Sequence, residues 1–79
     1  MAMAFVLINT ETGSEDEVLE ALKKIDAVEE AYVVFGVYDL VAIVKTDTMQ
    51  KLREIVSWQV RRLDKIQSTI TLVATEKTK

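Results

Sequence analysis

The chain contains no cysteine, no histidine and no proline, and only two of its 79 residues are glycine. Without cysteine no disulfide can form, and without cysteine or histidine a zinc site would need carboxylate ligands alone. Two separated glycines do not make a glycine-rich phosphate loop. We therefore expect a domain that carries no metal and no cofactor.

Long hydrophobic runs are also missing. No apolar stretch approaches the roughly 20 residues that a membrane-spanning helix needs, and the start, Met1-Ala2-Met3-Ala4, lacks the basic residues of a signal peptide. These absences predict a soluble, cytoplasmic chain with no membrane partner.

Aromatic residues make up only 6 % of the chain, although 49 % of it is apolar. The apolar content is therefore mostly valine, isoleucine, leucine and alanine. These residues suit a sheet whose faces are packed against other elements rather than exposed to water. No linker, repeat or low-complexity tract divides the sequence, so residues 1–79 are predicted to form a single domain. Domains this small bury only about 60 % of their unfolded surface, and oligomerisation is the expected reinforcement.

The net charge of −3 hides an asymmetry between the two parts of the chain. Residues 1–30 hold eight acids and two bases, whereas residues 31–79 hold five acids and eight bases. Solvated helix faces of opposite sign explain this pattern. The bases that a nucleic-acid patch would use are Lys51, Arg53, Arg61, Arg62 and Lys65, too few to predict direct nucleic-acid binding.

Hydrophobic periodicity divides the first half of the chain into a strand and a helix. Ala4 to Ile8 is a continuous apolar run, too short for a helix, and is predicted to be the first strand. Ser14 and Glu17 have the spacing of a capping box, which predicts that the first helix begins there. The apolar stripe of this helix is Val18, Leu19, Leu22 and Ile25.

The second half is predicted to contain three strands and one helix. Val28 to Phe35 and Tyr38 to Lys45 are the second and third strands, joined at Gly36 into a hairpin. Asp47 and Gln50 repeat the capping spacing before a helix that runs to about Leu63, with apolar residues Leu52, Ile55, Val56, Val60 and Leu63 at helical spacing. Gln67 to Val73 is the fourth strand, and Glu76 to Lys79 form a charged tail that is expected to fray.

The order strand, helix, strand, strand, helix, strand predicts an α+β fold of the ferredoxin-like βαββαβ type. Two helices would cover one face of a four-stranded antiparallel sheet. In the first and third strands the residues that point to either face of the sheet are apolar; in the first strand, for example, Phe5 and Leu7 point to one face and Val6 and Ile8 to the other. Two helices cannot cover both faces, so we expect the free face to pack against a second copy of the chain.

Two side chains are unusual for their positions. Asp39 lies among aliphatic strand residues, where a carboxylate must reach water or a partner. Trp58 lies away from the apolar stripe of the second helix, beside Lys51 and Arg62. It either rests on their aliphatic stems or anchors a further oligomer contact.

Composition bears on two classes of function. The chain has neither the histidine nor the cysteine that acid–base and covalent catalysis usually employ. An enzyme of the dimeric α+β barrel type is therefore the less favoured alternative. An RNA-recognition module would use its open sheet to stack bases, but the aromatic signature for stacking is missing.

The segments Gly36-Val37-Tyr38-Asp39-Leu40 and Thr69-Ile70-Thr71-Leu72-Val73 resemble the G-x-[YF]-D and T-x-T signatures of the RAM domain. This is the effector-binding domain of Lrp/AsnC (feast/famine) transcription regulators. The resemblance spans nearly the whole chain, except that the helix-turn-helix of those regulators has no counterpart. It implies a stand-alone module to which DNA binding is not carried over.

The resemblance implies a sheet-to-sheet homodimer, a ring of dimers and an amino acid held between subunits. Asp39 would take the ammonium group, with backbone amides near Gly36 and the hydroxyls of Thr69 and Thr71 available to the carboxylate. Tyr38 would line the pocket, and Trp58 is the candidate oligomer contact. Such a module would act through assembly, including with full-length Lrp/AsnC regulators. The alternative is a purely structural assembly module without a ligand.

Overall fold

The computed structural model describes residues 1–77. Its elements are β1 (Ala2–Thr10), α1 (Glu15–Lys23), β2 (Val28–Val33), β3 (Leu40–Thr46), α2 (Met49–Ile55), a π-helical turn (Val56–Val60) and β4 (Ile66–Ala74). Every predicted element is present in the predicted order. The ferredoxin-like βαββαβ fold is therefore confirmed.

The four strands form one antiparallel sheet in the order β2-β3-β1-β4. Strands that are adjacent along the chain form the β2-β3 hairpin, whereas β1 lies in the centre and separates β3 from β4. Side chains of residues that are paired across neighbouring strands point to the same face of the sheet. One face is covered by the two helices and is called here the helix-covered face. The other face has no helix on it and is called here the open face.

The core lies between the helix-covered face and the two helices. It is built from alternate residues of β1 and β3 and from the inward stripe of each helix. Its buried members are Ala2, Ala4, Val6, Ile8, Val18, Leu22, Ile25, Leu40, Ala42, Val44, Leu52, Ile55, Val56 and Val60. The predicted helical stripes are confirmed, with Leu19 and Leu63 only partly buried at their margins.

The first helix begins directly after Ser14, as predicted, but the capping contacts of both helices differ from the prediction. The Ser14 side chain makes no capping hydrogen bond, and Glu15 rather than Glu17 reaches back, its Oε1 accepting from the Gly13 amide at 3.2 Å. At α2 the cap is Thr48, whose Oγ1 accepts from the Lys51 amide at 3.1 Å, so the predicted Asp47 cap is wrong. A threonine held in an extended conformation one residue nearer the helix presents its hydroxyl to the first turn.

The second helix also ends differently. Regular α-helix stops at Ile55, and the chain continues as a π-helical turn in which the Arg61 amide donates to the Val56 carbonyl at 2.9 Å. The wider turn keeps Val56 and Val60 buried together.

The predicted tight hairpin at Gly36 is instead a six-residue connection, residues 34–39, called here the hairpin loop. Gly36 has a φ of 156°, a backbone conformation that side-chain-bearing residues rarely adopt. β3 accordingly begins at Leu40 rather than Tyr38, and β2 ends at Val33 rather than Phe35. Of the predicted charged tail, Glu76 and Lys77 have no regular secondary structure, and residues 78 and 79 lie outside the described residues.

Across residues 1–77, none of the helices has the length and apolar character that a bilayer crossing would require. In the same range no group of three or more acidic, histidine or cysteine side chains is arranged to hold a metal ion.

Candidate functional site

Asp39 stands where the hairpin loop joins the sheet. Its amide donates to the Ile8 carbonyl at 3.0 Å, and its carbonyl accepts from the Val34 amide at 2.9 Å. The backbone of Asp39 thus bonds to β1 on one side and to Val34, the first residue after β2, on the other. This fixes the position of the side chain more firmly than a free loop would.

The Asp39 carboxylate bonds to the last residue of β1. Its Oδ2 accepts from the Thr10 amide at 2.9 Å and from the Thr10 hydroxyl at 3.4 Å. Thr10 is the one buried polar residue within the described range, and without Asp39 its amide would lack this acceptor. The sequence offered no direct signal for this pairing, because 29 positions separate the two residues.

The second carboxylate oxygen of Asp39, Oδ1, accepts no hydrogen bond from any residue in the range 1–77. Asp39 is only half-buried, so this oxygen is open to a further donor. An oriented carboxylate with one engaged oxygen and one free oxygen can accept a charged N–H group without rearranging.

The remainder of the hairpin loop brings Gly36 and Tyr38 close to Asp39 along the chain. Tyr38 is half-buried, whereas Phe35 and Val37 are 107 % and 86 % exposed. Phe35 is therefore as accessible as in an unfolded chain. Large apolar side chains left entirely in water at a loop tip indicate a contact surface.

Thr69 and Thr71 do not join this cluster within one protomer. The pairing register aligns Thr69 with Ile8 and Leu40, and Thr71 with Val6 and Ala42, all on the helix-covered face. Because β1 lies between β3 and β4, the two threonines and Asp39 stand on opposite sides of the central strand. The structure thus brings together three of the five residues predicted to bind the effector.

The two threonines instead line a groove of about 380 Å³ between β4 and the second helical segment, called here the helix–β4 groove. Its helical wall includes Arg53, Ser57 and Arg61, three polar residues at intervals of four. Sequence reasoning missed this row, although the regular spacing in the sequence was a usable signal.

The open face carries two rows of mostly apolar side chains that cross all four strands. The first contains Tyr32, Val41, Leu7 and Ile70, and the second contains Glu30, Ile43, Phe5 and Leu72. Within a single protomer Tyr32, Ile70 and Leu72 remain 49 %, 45 % and 51 % exposed. The open face is therefore largely apolar, with Glu30 as the charged member of its β2 edge, and the apolar residues of the first and third strands lie on it as their parity predicted.

Trp58 is 62 % exposed on the π-helical turn. The guanidinium carbon of Arg62 lies 4.1 Å from the centre of its ring, a cation–π contact. The observed contact is made by the guanidinium group of Arg62, whereas the expectation was a ring resting on the aliphatic stems of Lys51 and Arg62. Its predicted role as an oligomer contact remains a prediction.

The site therefore stands on a ferredoxin-like βαββαβ domain whose hairpin carries the G-x-x-D spacing, Gly36 to Asp39. The family model described as the Lrp/AsnC ligand binding domain matches residues 3–79. The chain belongs to this family, and the resemblance to the RAM domain is confirmed.

Individual relatives agree with the family match. The chain is 34 % identical over 59 residues, 75 % of its length, to the regulatory protein AsnC of Haemophilus influenzae. It is 36 % identical over 56 residues, 71 % of its length, to an HTH-type transcriptional regulator of Bacillus subtilis. The chain spans only 39 % and 34 % of the lengths of these two regulators.

Solved structures of similar length also match. A hypothetical protein from Pyrococcus horikoshii is 42 % identical, with a TM-score of 0.90 over 98 % of this chain and 93 % of that one. A protein of Thermus thermophilus is 33 % identical, with a TM-score of 0.93 over 100 % of this chain and 99 % of that one.

Proposed function

We propose that this chain is an amino-acid-sensing and oligomerisation module of the Lrp/AsnC type. It binds a small α-amino acid between subunits, and ligand binding shifts the assembly of the module. Through assembly it modulates transcription regulators, including full-length relatives that share its interfaces.

The observation that carries the proposal is the free oxygen of Asp39. Oδ2 is held by Thr10 while Oδ1 has no partner among the described residues, so the carboxylate is oriented and still able to accept from an ammonium group. The backbone amides near Gly36 and the Tyr38 side chain stand in the same loop. The Asp39 carboxylate supplies the acceptor that an ammonium group requires, whereas the backbone amides near Gly36 are donors available to the ligand's carboxylate, and Tyr38 would line the pocket.

A site between subunits also explains the position of the threonines. Thr69 and Thr71 are separated from Asp39 by β1 in one protomer, so they can face Asp39 only from a neighbouring protomer. Dimerisation through the apolar rows of the open face, followed by contacts between dimers, would bring such surfaces together. The exposed Phe35 and Val37 are suited to cover a ligand at that seam.

The Asp39 contacts require a careful choice of variant. Asp39→Ala would remove the acceptor of a buried amide and cost about 1–3 kcal/mol of stability. Asp39→Asn keeps an oxygen for the Thr10 amide while removing the charge, so it separates ligand binding from folding. Asp47→Asn removes a charge from an exposed aspartate outside the hairpin loop and serves as the matched control.

The test is a thermal-shift screen of the wild-type chain against the common amino acids, followed by calorimetry on each hit. A ligand that binds only the folded form must raise the melting temperature. We expect Asp39→Asn to weaken binding by about tenfold or more, or about 1.4 kcal/mol, while Asp47→Asn binds like wild type. Equal affinity in Asp39→Asn would reject Asp39 as the ammonium partner.

The second candidate function is a purely structural assembly module. It is favoured by the bond between Asp39 and Thr10, which gives the aspartate a role in the fold without any ligand. If no amino acid shifts the melting temperature while the chain still oligomerises, the structural function is the correct one.

A further inference from the structure

The outward surface of the two helices, called here the helix layer, carries opposite charges on its two sides. The exposed acids of the first two turns of α1 are Asp16, Glu17 and Glu20. The exposed bases of the second helical segment and the turn after it are Lys51, Arg53, Arg61 and Arg62. Glu54 is the one acid between Met49 and Arg62. An acidic surface and a basic surface therefore stand side by side in each protomer.

The acidic start of α1 and the basic end of the second helical segment lie at the same end of the sheet. α1 follows β1, and the second helical segment leads into β4, whose first residues pair with the last residues of β1. The Glu11 amide donates to the Lys65 carbonyl at 2.8 Å and joins the two connections. Because α1 leads away from this end and the second helical segment leads toward it, the two helices are antiparallel.

These opposite charges are not neutralised inside the protomer. Within residues 1–77 the ion pairs are Lys23 with Glu20 and Lys45 with Glu29. Neither pair joins α1 to the second helical segment. The carboxylates of Asp16 and Glu17 and the guanidinium group of Arg62 are therefore free to pair with charges of another molecule.

Trp58 and Arg62 form a recognition unit at the basic end. Trp58 is 62 % exposed, and the guanidinium carbon of Arg62 lies 4.1 Å from the centre of its ring. A guanidinium group stacked on an aromatic ring keeps its N–H groups at its edge, where they can bind a carboxylate through paired hydrogen bonds. Tryptophan and arginine are also the residue types that most often dominate the binding energy of an interface.

From this arrangement we propose that the Trp58–Arg62 surface docks on the acidic start of α1 in a second copy of the chain. A two-fold axis that runs parallel to the helices, between two facing helix layers, places α1 of each copy opposite the second helical segment of the other. Since both charged surfaces lie at the same end of the layer, Arg62 of one copy meets Asp16 of the other, and the same contact is made twice. The surface is thus complementary to itself.

The contact is confined to this end of the helix layer. At the other end both helices carry lysines, Lys23 and Lys24 on α1 and Lys51 on α2, which repel each other across the same axis. Exposed ion pairs are individually weak, so the Trp58 ring, covered between the two layers, is the anchor. The contact is therefore weaker than the sheet interface and sensitive to salt.

This inference goes beyond the proposed function, because the contact needs neither Asp39 nor a ligand. It uses the side of the protomer opposite to the open face, so it can form together with the sheet-to-sheet dimer. Each such dimer has two helix layers, and the contact would join one dimer to the next.

The test is the mass of the full chain as a function of ionic strength, measured by light scattering. The Debye length falls from about 30 Å at 0.01 M salt to about 3 Å at 1 M. We expect the mass at low salt to be at least twice the mass at high salt. Trp58 is the only tryptophan of the chain, and its fluorescence should move to shorter wavelength as the mass rises.

Charge reversal identifies the two surfaces. Arg62→Glu and Asp16→Lys each place like charges opposite one another, so each should abolish the rise in mass at low salt. Combining both substitutions in one chain, or mixing the two single variants, restores opposite charges and should restore assembly. Asp47→Lys reverses an exposed acid at the other end of the helix layer and is the matched control, expected to assemble like wild type.

Two conservative changes separate the anchor from net charge. Trp58→Ala should raise the concentration needed for assembly at low salt by about tenfold or more. Arg62→Lys keeps the charge but loses the planar guanidinium group, so it should raise that concentration less. Equal assembly of Trp58→Ala and wild type would overturn the assignment of Trp58 as the anchor.

Three results would overturn the contact as a whole. They are a wild-type mass that salt does not change, assembly of Arg62→Glu equal to that of wild type, and a combined variant that assembles no better than the single ones. The first would assign the Trp58–Arg62 surface to an acidic segment of a different protein. Salt-dependent assembly of a chain that binds no amino acid would support the contact and reject the proposed function, whereas amino-acid binding without such assembly would do the reverse.

Discussion

Asp39 shows how one residue can serve both the fold and a ligand. Its backbone continues the sheet toward β1 and β2, and one carboxylate oxygen satisfies the buried amide of Thr10. A buried backbone amide needs an acceptor, and at the end of β1 the Asp39 side chain supplies it. The motif aspartate of this domain therefore has a structural duty that its unusual position in the sequence did not reveal.

Tyr32 is a second residue whose chemistry is changed by a neighbour. Its hydroxyl donates to the Glu30 carboxylate on the same side of β2. This hydrogen bond, assisted by the negative charge of Glu30, raises the pKa of Tyr32 above its ordinary value of 10.0. Because the neutral phenol is the favoured form, the stabilisation is present below the ordinary pKa and is lost as the pH rises through the raised one.

We predict that Tyr32 ionises above pH 10 in the folded protein. The measurement is tyrosinate absorbance during an alkaline titration, in a Tyr38→Phe background so that Tyr32 is the only tyrosine left of the two. Adding Glu30→Gln should lower the midpoint, because the charge that opposes ionisation is gone. A midpoint that Glu30→Gln leaves unchanged would contradict the assigned cause.

At the scale of the elements, the helix starts differ in what stabilises them. α1 has three acidic residues in its first turn, Glu15, Asp16 and Glu17, which interact favourably with the positive end of the helix dipole. α2 has no acidic residue there and relies on the Thr48 hydroxyl. The same short pattern in the sequence thus led to two different local solutions.

We predict that Thr48→Ala lowers the free energy of unfolding by about 1 kcal/mol, because the Lys51 amide loses its acceptor. Ser14→Ala is the matched control and should cost much less, since the Ser14 hydroxyl makes no capping bond. Urea denaturation of both variants measures the difference. Equal losses in the two variants would show that the helix starts are stabilised in the same way.

At the scale of the whole molecule, the open face is the largest apolar surface that a single protomer leaves exposed to water. Two rows of mostly apolar side chains cross all four strands without any helix to cover them. Exposed apolar surfaces of this kind are typical of interfaces between subunits. The helices and the helix–β4 groove lie on the other face and would remain accessible in a dimer.

We predict that Leu72→Glu converts a dimer of the wild-type chain to a monomer. Leu72 lies in the second row of the open face and is 51 % exposed in the protomer, so a carboxylate there would have to be buried in the interface without a partner. Met49→Glu alters a similarly exposed apolar residue, 40 % accessible, at the start of α2 and should leave the dimer intact. Light scattering at micromolar concentration gives both masses, and a wild-type monomer would refute the interface.

The outcome of sequence reasoning differed between repetitive and local features. The strands and the helical stripes were predictable because burial repeats every two residues in a strand and every three or four in a helix, as with Val6 and Ile8 or Val18 and Leu22. Caps and loop lengths were not, because they depend on the geometry of one or two residues. Thr48 and the hairpin loop are examples.

The sequence alone determined the order of the elements, the composition of the core and the apolar character of both faces of the sheet. These follow from hydrophobic burial and local backbone preference, which neighbouring residues largely specify. Only the tertiary structure decided the partner of Asp39, the placement of the Arg53–Arg61 row opposite Thr69 and Thr71, and the separation of those threonines from the hairpin loop. Such contacts join residues far apart in the chain, and the strand order that brings them together is set by packing of the whole domain.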